Sequence, residues 1–119
     1  IYGTGTNIRD WIYVIDHCRG IDFLLDHGRA GEIYNIGGGN EKTNIEITHR
    51  LLELLEKDQS WVDYVADRPG HDYRYSLDCS KMRRLGWAPE YDFEKGLVAT
   101  VNWYQENEQW WRPLKRQNG

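Results

Sequence analysis

The 119-residue sequence predicts a small domain of the α/β class, with about three main helices and short strands. Apolar residues recur at helical spacing in three segments, and short β-prone runs lie between them. Glycine, proline and other turn residues separate these segments along the chain. The chain is long enough to bury a core of its own, so residues 1–119 are predicted to form one domain.

Turn and cap residues define the first elements. Residues 1–14 are predicted to be extended, with a turn over residues 3–7 and a β-prone run over residues 11–14. Asp16 is expected to cap a first helix, which ends at Gly28. The apolar positions of this helix are Ile21, Leu24 and Leu25.

The middle of the chain contains the most clearly signalled helix. Residues 32–36 are predicted to form a short strand, and the glycine-rich residues 37–40 a loop. Thr43 and Glu46 have the spacing of a capping box, which marks the start of a helix. The apolar face of this second helix consists of Ile45, Ile47, Leu51, Leu52, Leu54 and Leu55.

The segment that follows this helix is predicted to be mostly extended. Residues 61–65 alternate as a strand does, and residues 73–77 are short and extended. Between them, residues 67–72 form a loop, because Pro69 and Gly70 are incompatible with a regular element.

Two more helices are predicted near the C-terminus. A brief one begins at Asp78 or Ser80 and ends before Gly86, a residue type favoured just past a helix. Asp92 is expected to cap the last helix. The apolar face of this helix consists of Phe93, Leu97, Val101 and Tyr104. Residues 112–119 are expected to be frayed or docked on a missing partner.

The composition argues against several classes of function. A formal net charge of −4 argues against nucleic-acid binding. No apolar run is long enough to cross a bilayer, so no membrane partner is predicted. Cys18 and Cys79 are too few for a disulfide framework, which favours a reduced, cytoplasmic setting. The histidines show no spacing typical of a zinc site.

The glycines at positions 37–39 suggest a cofactor loop as one alternative. A strand, a glycine loop and a helix occur in that order in dinucleotide-binding turns. The spacing differs from G-x-G-x-x-G, however, and three residues separate the glycines from the helix cap. We favour a tight turn that lets the backbone approach a ligand or a neighbouring strand.

Two arginines beside carboxylates are the strongest candidates for a ligand site. Arg9 precedes Asp10, and Arg68 follows Asp67 in a loop that proline and glycine restrain. Guanidinium groups brought from two loops can hold a phosphate or diphosphate in bidentate fashion. An arginine beside a carboxylate is also common as a surface ion pair, so both interpretations stay open. For His71 we favour a binding role, because no serine or cysteine nucleophile accompanies it.

Motifs throughout the chain resemble the C-terminal part of the dTDP-glucose 4,6-dehydratases, which are extended short-chain dehydrogenases/reductases. The resemblance rests on Tyr2-Gly3-x-Gly5-x-Asn7-Ile8-Arg9-Asp10-Trp11-Ile12-Tyr13-Val14-x-Asp16-His17, Gly31-Glu32-Ile33-Tyr34-Asn35-Ile36-Gly37-Gly38, Asn44-Ile45-Glu46, Asp67-Arg68-Pro69-Gly70-His71-Asp72-x-Arg74-Tyr75, Ser80-Lys81, Leu85-Gly86-Trp87 and Trp103-Tyr104. The fold it implies is the small substrate-binding lobe of such an enzyme.

The resemblance also implies roles for individual residues, in a site that grips the diphosphate of a nucleotide-sugar substrate. Tyr2 would border the thymine, and Arg9 and Arg68 would bind the pyrophosphate. Asn35 would hydrogen-bond near the pyrophosphate, and His71 would reach the ribose or a phosphate.

The chemistry itself would belong to a part of the enzyme outside this chain. The resemblance implies an N-terminal Rossmann domain that binds NAD and carries a Tyr-x-x-x-Lys pair and an Asp-Glu dyad. That enzyme would oxidise C4 of the sugar, eliminate water across C5–C6 and return the hydride to C6. Because the sequence begins without Met, we expect this chain to be a fragment and inactive alone. The parent enzyme would be a homodimer formed through the missing domain.

Two alternatives stay open at this point. One is an epimerase or decarboxylase of the same superfamily that acts on UDP- or GDP-sugars. These enzymes share the Arg-Asp and Tyr-Asn-Ile-Gly motifs but typically differ around His71. The other is a non-enzymatic module that docks another protein through an aromatic surface containing Trp110 and Trp111.

Overall fold

A computed structural model describes residues 1–115, which form five α-helices, one 3₁₀ turn and a two-stranded sheet. In chain order the elements are β1 (Ile8–Asp10), α1 (Val14–His27), β2 (Glu41–Thr43), α2 (Asn44–Leu54), the 3₁₀ turn (Gln59–Trp61), α3 (Ser80–Leu85), α4 (Phe93–Glu106) and α5 (Glu108–Lys115). The predicted α/β class is confirmed. Three of the helices, α1, α2 and α4, have eleven residues or more, as predicted.

The sheet joins the start of the chain to the segment that precedes α2. Strands β1 and β2 are antiparallel, and Arg9 lies opposite Lys42. On the other side of β1, Ile8 forms an isolated parallel bridge with Arg74. A second bridge links Tyr2 to Val65. These pairings fix the N-terminal segment against the loop that contains Arg68.

The predicted strands are mostly wrong in position. Residues 11–14 are not a strand: pairing occurs at Ile8–Asp10 instead, and Val14 already begins α1. Residues 32–36, 61–65 and 73–77 also form no strand in the described part of the chain. A β-prone segment becomes a strand only beside a partner backbone, and these segments have at most a single bridge.

Helix caps were predicted better, with two exceptions, in α3 and α1. Neither Asp78 nor Ser80 is the N-cap of α3: Cys79 occupies that position, although the Asp78 carboxylate accepts a hydrogen bond from the Ser80 amide at 2.8 Å. The Thr43–Glu46 capping box forms in full, and Asp92 accepts a hydrogen bond from the Lys95 amide at 2.8 Å. Gly86 ends α3 with a φ of 102°. Asp16, by contrast, is not a cap. It lies inside the first turn of α1, and Tyr13 occupies the N-cap position.

A further helix follows the one that was predicted to be last. α5 runs through residues 112–115, which were expected to be frayed or docked; residues 116–119 lie outside the described range. The Trp111 indole donates a hydrogen bond to the Tyr104 carbonyl at 2.7 Å. Glu108 and Arg112 form an ion pair at 2.9 Å. These contacts extend the helical structure beyond the α4 pattern visible in the sequence.

Helices α2, α3 and α4 each contribute buried apolar residues. The buried apolar residues are Ile47, Leu52, Cys79, Met82, Trp87 and Val101. Gly20 brings α1 close to this core, because a Cβ there would lie 3.0 Å from the Trp87 ring.

The capping box provides a stability test. Replacing Thr43 by alanine should lower the free energy of unfolding by about 1 kcal/mol, because the hydroxyl that accepts from the Glu46 amide is lost. Urea denaturation followed by tryptophan fluorescence measures this loss. Thr48→Ala is the matched control, since its hydroxyl only bonds back to the Asn44 carbonyl within α2. Equal losses in the two variants would contradict a specific cap.

Candidate functional site

Backbone pairing brings Arg9 beside a loop more than 60 residues away in sequence. The Ile8 amide donates to the Tyr73 carbonyl at 2.8 Å, and the Tyr75 amide donates to the Ile8 carbonyl at 3.0 Å. The 73–75 segment therefore lies along β1 at Ile8, the residue before Arg9. This register places the 67–72 loop directly beside the arginine side chain.

Three acceptors and one aromatic ring fix the Arg9 guanidinium. Nη1 donates to the Ile8 carbonyl at 2.6 Å, and Nη2 donates to the Asp72 carbonyl at 3.0 Å. Nη2 also lies 3.1 Å from His71 Nε2. The Tyr75 ring is 4.4 Å from the guanidinium carbon, a distance typical of a cation–π contact. Arg9 is thus held in place before any ligand binds.

Asp67 holds the other side of His71. Its Oδ1 lies 2.6 Å from His71 Nδ1. The imidazole is only 5% exposed, whereas the Asp67 side chain is 46% exposed. The hydrogen bond from His71 keeps the pKa of Asp67 below its ordinary value, assisted by the Arg68 amide and charge. Asp67 is consequently an ionised acceptor at neutral pH.

Arg68 reaches the same group of side chains through Tyr2. Its guanidinium carbon lies 5.4 Å from the centre of the Tyr2 ring. The Tyr2 and His71 rings meet edge to face, with centroids 6.4 Å apart. We refer to Tyr2, Arg9, Arg68 and His71 as the arginine cluster. The Tyr2 ring is half exposed, so a flat ligand group can reach it.

Four of the five predicted site residues therefore come together, and Asn35 does not. The Asn35 amide donates to the Asp78 carbonyl at 3.2 Å. In the described chain it makes no hydrogen bond, ion pair or ring contact with the arginine cluster. Its side chain is exposed, so it is accessible to a ligand. The ligand-binding roles of all five residues stay predictions.

Sequence reasoning gave no role to two residues that support the cluster. Tyr75 packs against Arg9 and donates its hydroxyl to the Asp72 carboxylate, which raises the pKa of Tyr75. Asp67 orients His71. Both lie within the motifs that carry the family resemblance. No periodic pattern could have identified them, because they lie outside regular elements.

Two hollows have different chemistry. The larger, of about 870 Å³, is lined mainly by apolar groups of residues 11–15, α2 and α4 and contains none of the arginine cluster. The smaller, of about 400 Å³, is lined by Arg9, Asp10, Arg74, Tyr75, Ser76 and Leu77. Only the second offers cationic groups to an anion. Arg68 does not line it and instead lies against Tyr2.

The glycine loop packs closely against its own chain. A Cβ on Gly37 would lie 2.3 Å from Asp10 Oδ2, and one on Gly38 would lie 2.1 Å from the Trp11 carbonyl oxygen. The chain itself thus fills the space that the missing side chains leave. These glycines serve the close approach of two backbone segments, the interpretation favoured above.

Residues 1–115 contain neither a group of metal-ligating side chains nor a membrane-spanning helix. No group of three or more His, Cys, Asp or Glu side chains in that range is arranged to hold a metal ion. Among the helices of the same range, none is both long enough and apolar enough to cross a membrane.

Comparison with known families gives a clear match. Residues 1–100 match the family described as GDP-mannose 4,6 dehydratase. The chain belongs to this family. A dTDP-glucose 4,6-dehydratase of Streptomyces niveus is 52% identical over 116 residues, which cover 97% of this chain and 34% of the relative. This member of the GDP-mannose 4,6 dehydratase family thus spans about a third of the length of the curated relatives it matches.

Solved structures of the family agree with this sequence match. A dTDP-glucose 4,6-dehydratase from Streptomyces venezuelae, solved with NAD bound, has a TM-score of 0.90 and 57% identity. The match covers 95% of this chain and 35% of that one. A UDP-glucose 4-epimerase from Thermotoga maritima is more distant, with a TM-score of 0.82, 32% identity and coverage of 89% and 34%. The resemblance to dTDP-glucose 4,6-dehydratases is confirmed.

Proposed function

We propose that this chain is the substrate-binding portion of an NAD-dependent dTDP-glucose 4,6-dehydratase. The observation that carries the proposal is the arginine cluster, in which strand β1 and the 67–72 loop each contribute a guanidinium group, Arg9 in contact with His71 and Arg68 in contact with Tyr2. Such groups match the geometry and charge of a diphosphate. Because the net charge of the chain is negative, this cationic feature is local and suits a small anionic ligand.

Each cluster residue contributes a different type of contact. Arg9 and Arg68 bind the diphosphate, and Tyr2 packs against the thymine. His71 hydrogen-bonds to a phosphate or the ribose. Asn35 lies outside the cluster, but its exposed amide is available to hydrogen-bond to a bound ligand. Tyr75 and Asp67 orient Arg9 and His71 without contacting the ligand.

The redox and elimination chemistry is assigned to a part of the enzyme that this chain does not contain. The residues present do not fit NAD, because Gly37 and Gly38 pack against their own chain. The chain spans about a third of the length of the relatives it matches, which supports a further part that carries this chemistry. We therefore propose an inactive fragment of a cytoplasmic, homodimeric enzyme of deoxysugar biosynthesis, converting dTDP-glucose to dTDP-4-keto-6-deoxyglucose and water.

An epimerase or decarboxylase of UDP- or GDP-sugars is the second candidate. The epimerase above shares the fold, but at 32% identity it is a more distant match than the dehydratases at 52% and 57%. The protein-docking alternative rests on exposed aromatic groups such as Trp110, which is 62% exposed. The three proposals differ in the ligand that they require.

Titration with dTDP tests the proposal. We expect dTDP to shift the amide NMR signals of the segments around Arg9 and Arg68, with weak affinity because the site is incomplete. Arg68→Ala should weaken this binding by at least about tenfold, since a charge-assisted contact is lost. The matched control is Arg112→Ala, which removes the same charge from an ion pair on α5.

The competing proposals predict other results. Stronger binding of UDP than of dTDP in competition would favour an epimerase or decarboxylase. No response to either nucleotide, with shifts confined to α5 on addition of a partner protein, would favour the docking module. Equal loss of dTDP binding in the Arg68 and Arg112 variants would contradict a specific diphosphate site.

A further inference from the structure

Three of the four groups that contact the Arg9 guanidinium come from one stretch of the chain. They are the His71 ring, the Asp72 carbonyl and the Tyr75 ring. The fourth group, the Ile8 carbonyl, also accepts a hydrogen bond from the Tyr75 amide at 3.0 Å. The orientation of Arg9 therefore depends on how firmly this stretch is held against β1.

Backbone pairing holds this stretch at a single residue of β1. The Ile8 amide donates to the Tyr73 carbonyl, and the bridge between Ile8 and Arg74 is isolated. Residues 73–77 form no strand in the described chain. Segments with few backbone hydrogen bonds open more easily than strands in a ladder. Side-chain contacts therefore decide how well this stretch is held.

Glu41 supplies such a contact from the opposite edge of β1. It lies in β2, where it pairs with Asp10. Its Oε2 accepts a hydrogen bond from Arg74 Nη2 at 2.5 Å, and its Oε1 accepts one from the Ser76 hydroxyl. The hydrogen bonds from Arg74 and then Ser76 keep the pKa of Glu41 below its ordinary value, so the carboxylate is ionised at neutral pH. One charged group thus ties the stretch to β2 across β1.

The two partners of Glu41 lie on either side of Tyr75 in the chain. In an extended segment, successive side chains point to opposite faces. Arg74 and Ser76 accordingly contact Glu41. Tyr75, between them, packs instead on the Arg9 guanidinium. A carboxylate that fixes residues 74 and 76 therefore also fixes the ring of the residue between them.

We propose that Glu41 is a positioning residue that holds Tyr75 against Arg9 and so prepares Arg9 for the diphosphate. This inference rests on the proposed function, in which Arg9 binds that group. Glu41 acts through Arg74 and Ser76 and does not touch the ligand, because a carboxylate repels a diphosphate. Loss of its charge leaves the stretch held by backbone pairing alone, and Arg9 then adopts other orientations.

Direct contact of Arg74 with the anion is the alternative role for this ion pair. Arg74 lines the smaller hollow together with Arg9, and its side chain is 54% exposed. The two roles predict opposite effects of Glu41→Gln on dTDP binding. Glutamine would free Arg74 for the anion and remove a like charge, so direct contact predicts tighter binding. The positioning role predicts weaker binding.

The guanidinium NMR signal of Arg9 in the full 119-residue chain, without ligand, tests the positioning itself. The guanidinium carbon lies 4.4 Å from the centre of the Tyr75 ring, so the ring current displaces the signal. Arg9→Lys assigns the signal, and Tyr75→Leu gives its position without the ring. We expect Glu41→Gln to move the signal at least half of the way to that position. Glu90→Gln is the matched control, because it removes the same charge from an exposed ion pair of equal length, 2.5 Å, and should leave the signal in place.

Calorimetric titration with dTDP measures the effect on the site. Glu41→Gln should weaken dTDP binding by about fivefold, because Arg9 is no longer held in one orientation before the ligand binds. Arg74→Gln should weaken binding by a similar factor. The double variant should bind no more weakly than either single variant, since both remove the same contact. The thermal midpoint should hardly change, because an ion pair exposed to this extent adds little to stability.

The outcomes separate this inference from the proposed function. An Arg9 signal that Glu41→Gln leaves unmoved, or dTDP binding that stays equal or becomes tighter, overturns the inference and leaves the proposed function intact. An equal response to Glu41→Gln and Glu90→Gln also overturns it. If Glu41→Gln lowered the thermal midpoint markedly, Ser76→Ala would decide, since it removes one of the two contacts and no charge; an unmoved Arg9 signal in that variant overturns the inference. Absence of dTDP binding to the unaltered, folded chain overturns the proposed function, while the Arg9 signal still reports whether Glu41 orients that side chain.

Discussion

Asp16→Ala is expected to lower the free energy of unfolding by about 3 kcal/mol. Asp16 is only 1% exposed, and its Oδ2 accepts a hydrogen bond from the Tyr91 amide at 2.9 Å. Alanine leaves that amide without its partner in the turn before α4. It also removes the carboxylate that lies 3.6 Å from the Arg19 guanidinium. The loss should appear as a lower urea midpoint in tryptophan fluorescence.

Two further variants separate the buried contact from charge in general. Asp22→Ala removes the same charge from an exposed position on the same helix and should change stability by less than about 0.5 kcal/mol. Asp16→Asn keeps an oxygen acceptor for the Tyr91 amide, so its loss of stability should lie between the losses of Asp16→Ala and Asp22→Ala. If the Asp16 and Asp22 alanine variants unfolded at the same urea concentration, the anchoring role of Asp16 would be refuted.

Gly38→Ala should have a comparable effect, also about 3 kcal/mol, for a steric reason. The added methyl group would lie 2.1 Å from the Trp11 carbonyl oxygen and 2.9 Å from the side-chain nitrogen Nδ2 of Asn40. A backbone oxygen cannot rotate away as a side chain can. The strand and the loop would have to separate, which disturbs the sheet that presents Arg9. Both the thermal midpoint and dTDP binding should therefore decline.

Gly31→Ala serves as the comparison for this steric effect. Gly31 has a φ of +80° and no atom within 4 Å of an added Cβ. Alanine at this position should lower the free energy of unfolding by about 1 kcal/mol, the cost of a left-handed backbone conformation alone. A Gly38 variant as stable as the Gly31 variant would show that the loop has room to adjust. In that case the interpretation of residues 37–39 as a cofactor loop would be open again.

Local signals in the sequence were sufficient for most helix boundaries. Each of these signals involves residues only three or four positions apart: the Thr43–Glu46 capping box, the Asp92 cap of α4 and Gly86 after α3. Their hydrogen bonds depend on the chain nearby and hardly on tertiary contacts. Asp16 was assigned wrongly as a cap for the opposite reason, since its partner is the amide of Tyr91, 75 residues away.

Strand positions could not be read from the sequence in the same way. Residues 32–36 and 61–65 have β-prone composition, yet they form no strand in the described chain. The two strands that do form, Ile8–Asp10 and Glu41–Thr43, contain four charged residues out of six and have little β signal. Pairing is a long-range property, and a β-prone sequence does not specify its partner.

The sequence by itself determined the four helices α1 to α4, most of their caps and the family, and it predicted the residue types of the candidate diphosphate site. Only the tertiary structure decided which of those residues meet: it joins Arg9 to His71, places Tyr75 against Arg9, and leaves Asn35 apart. The physical reason is the separation in sequence between the residues that interact. Caps and helical periodicity are set by neighbours within a turn or two, whereas these side chains meet through backbone pairing between segments more than 60 residues apart.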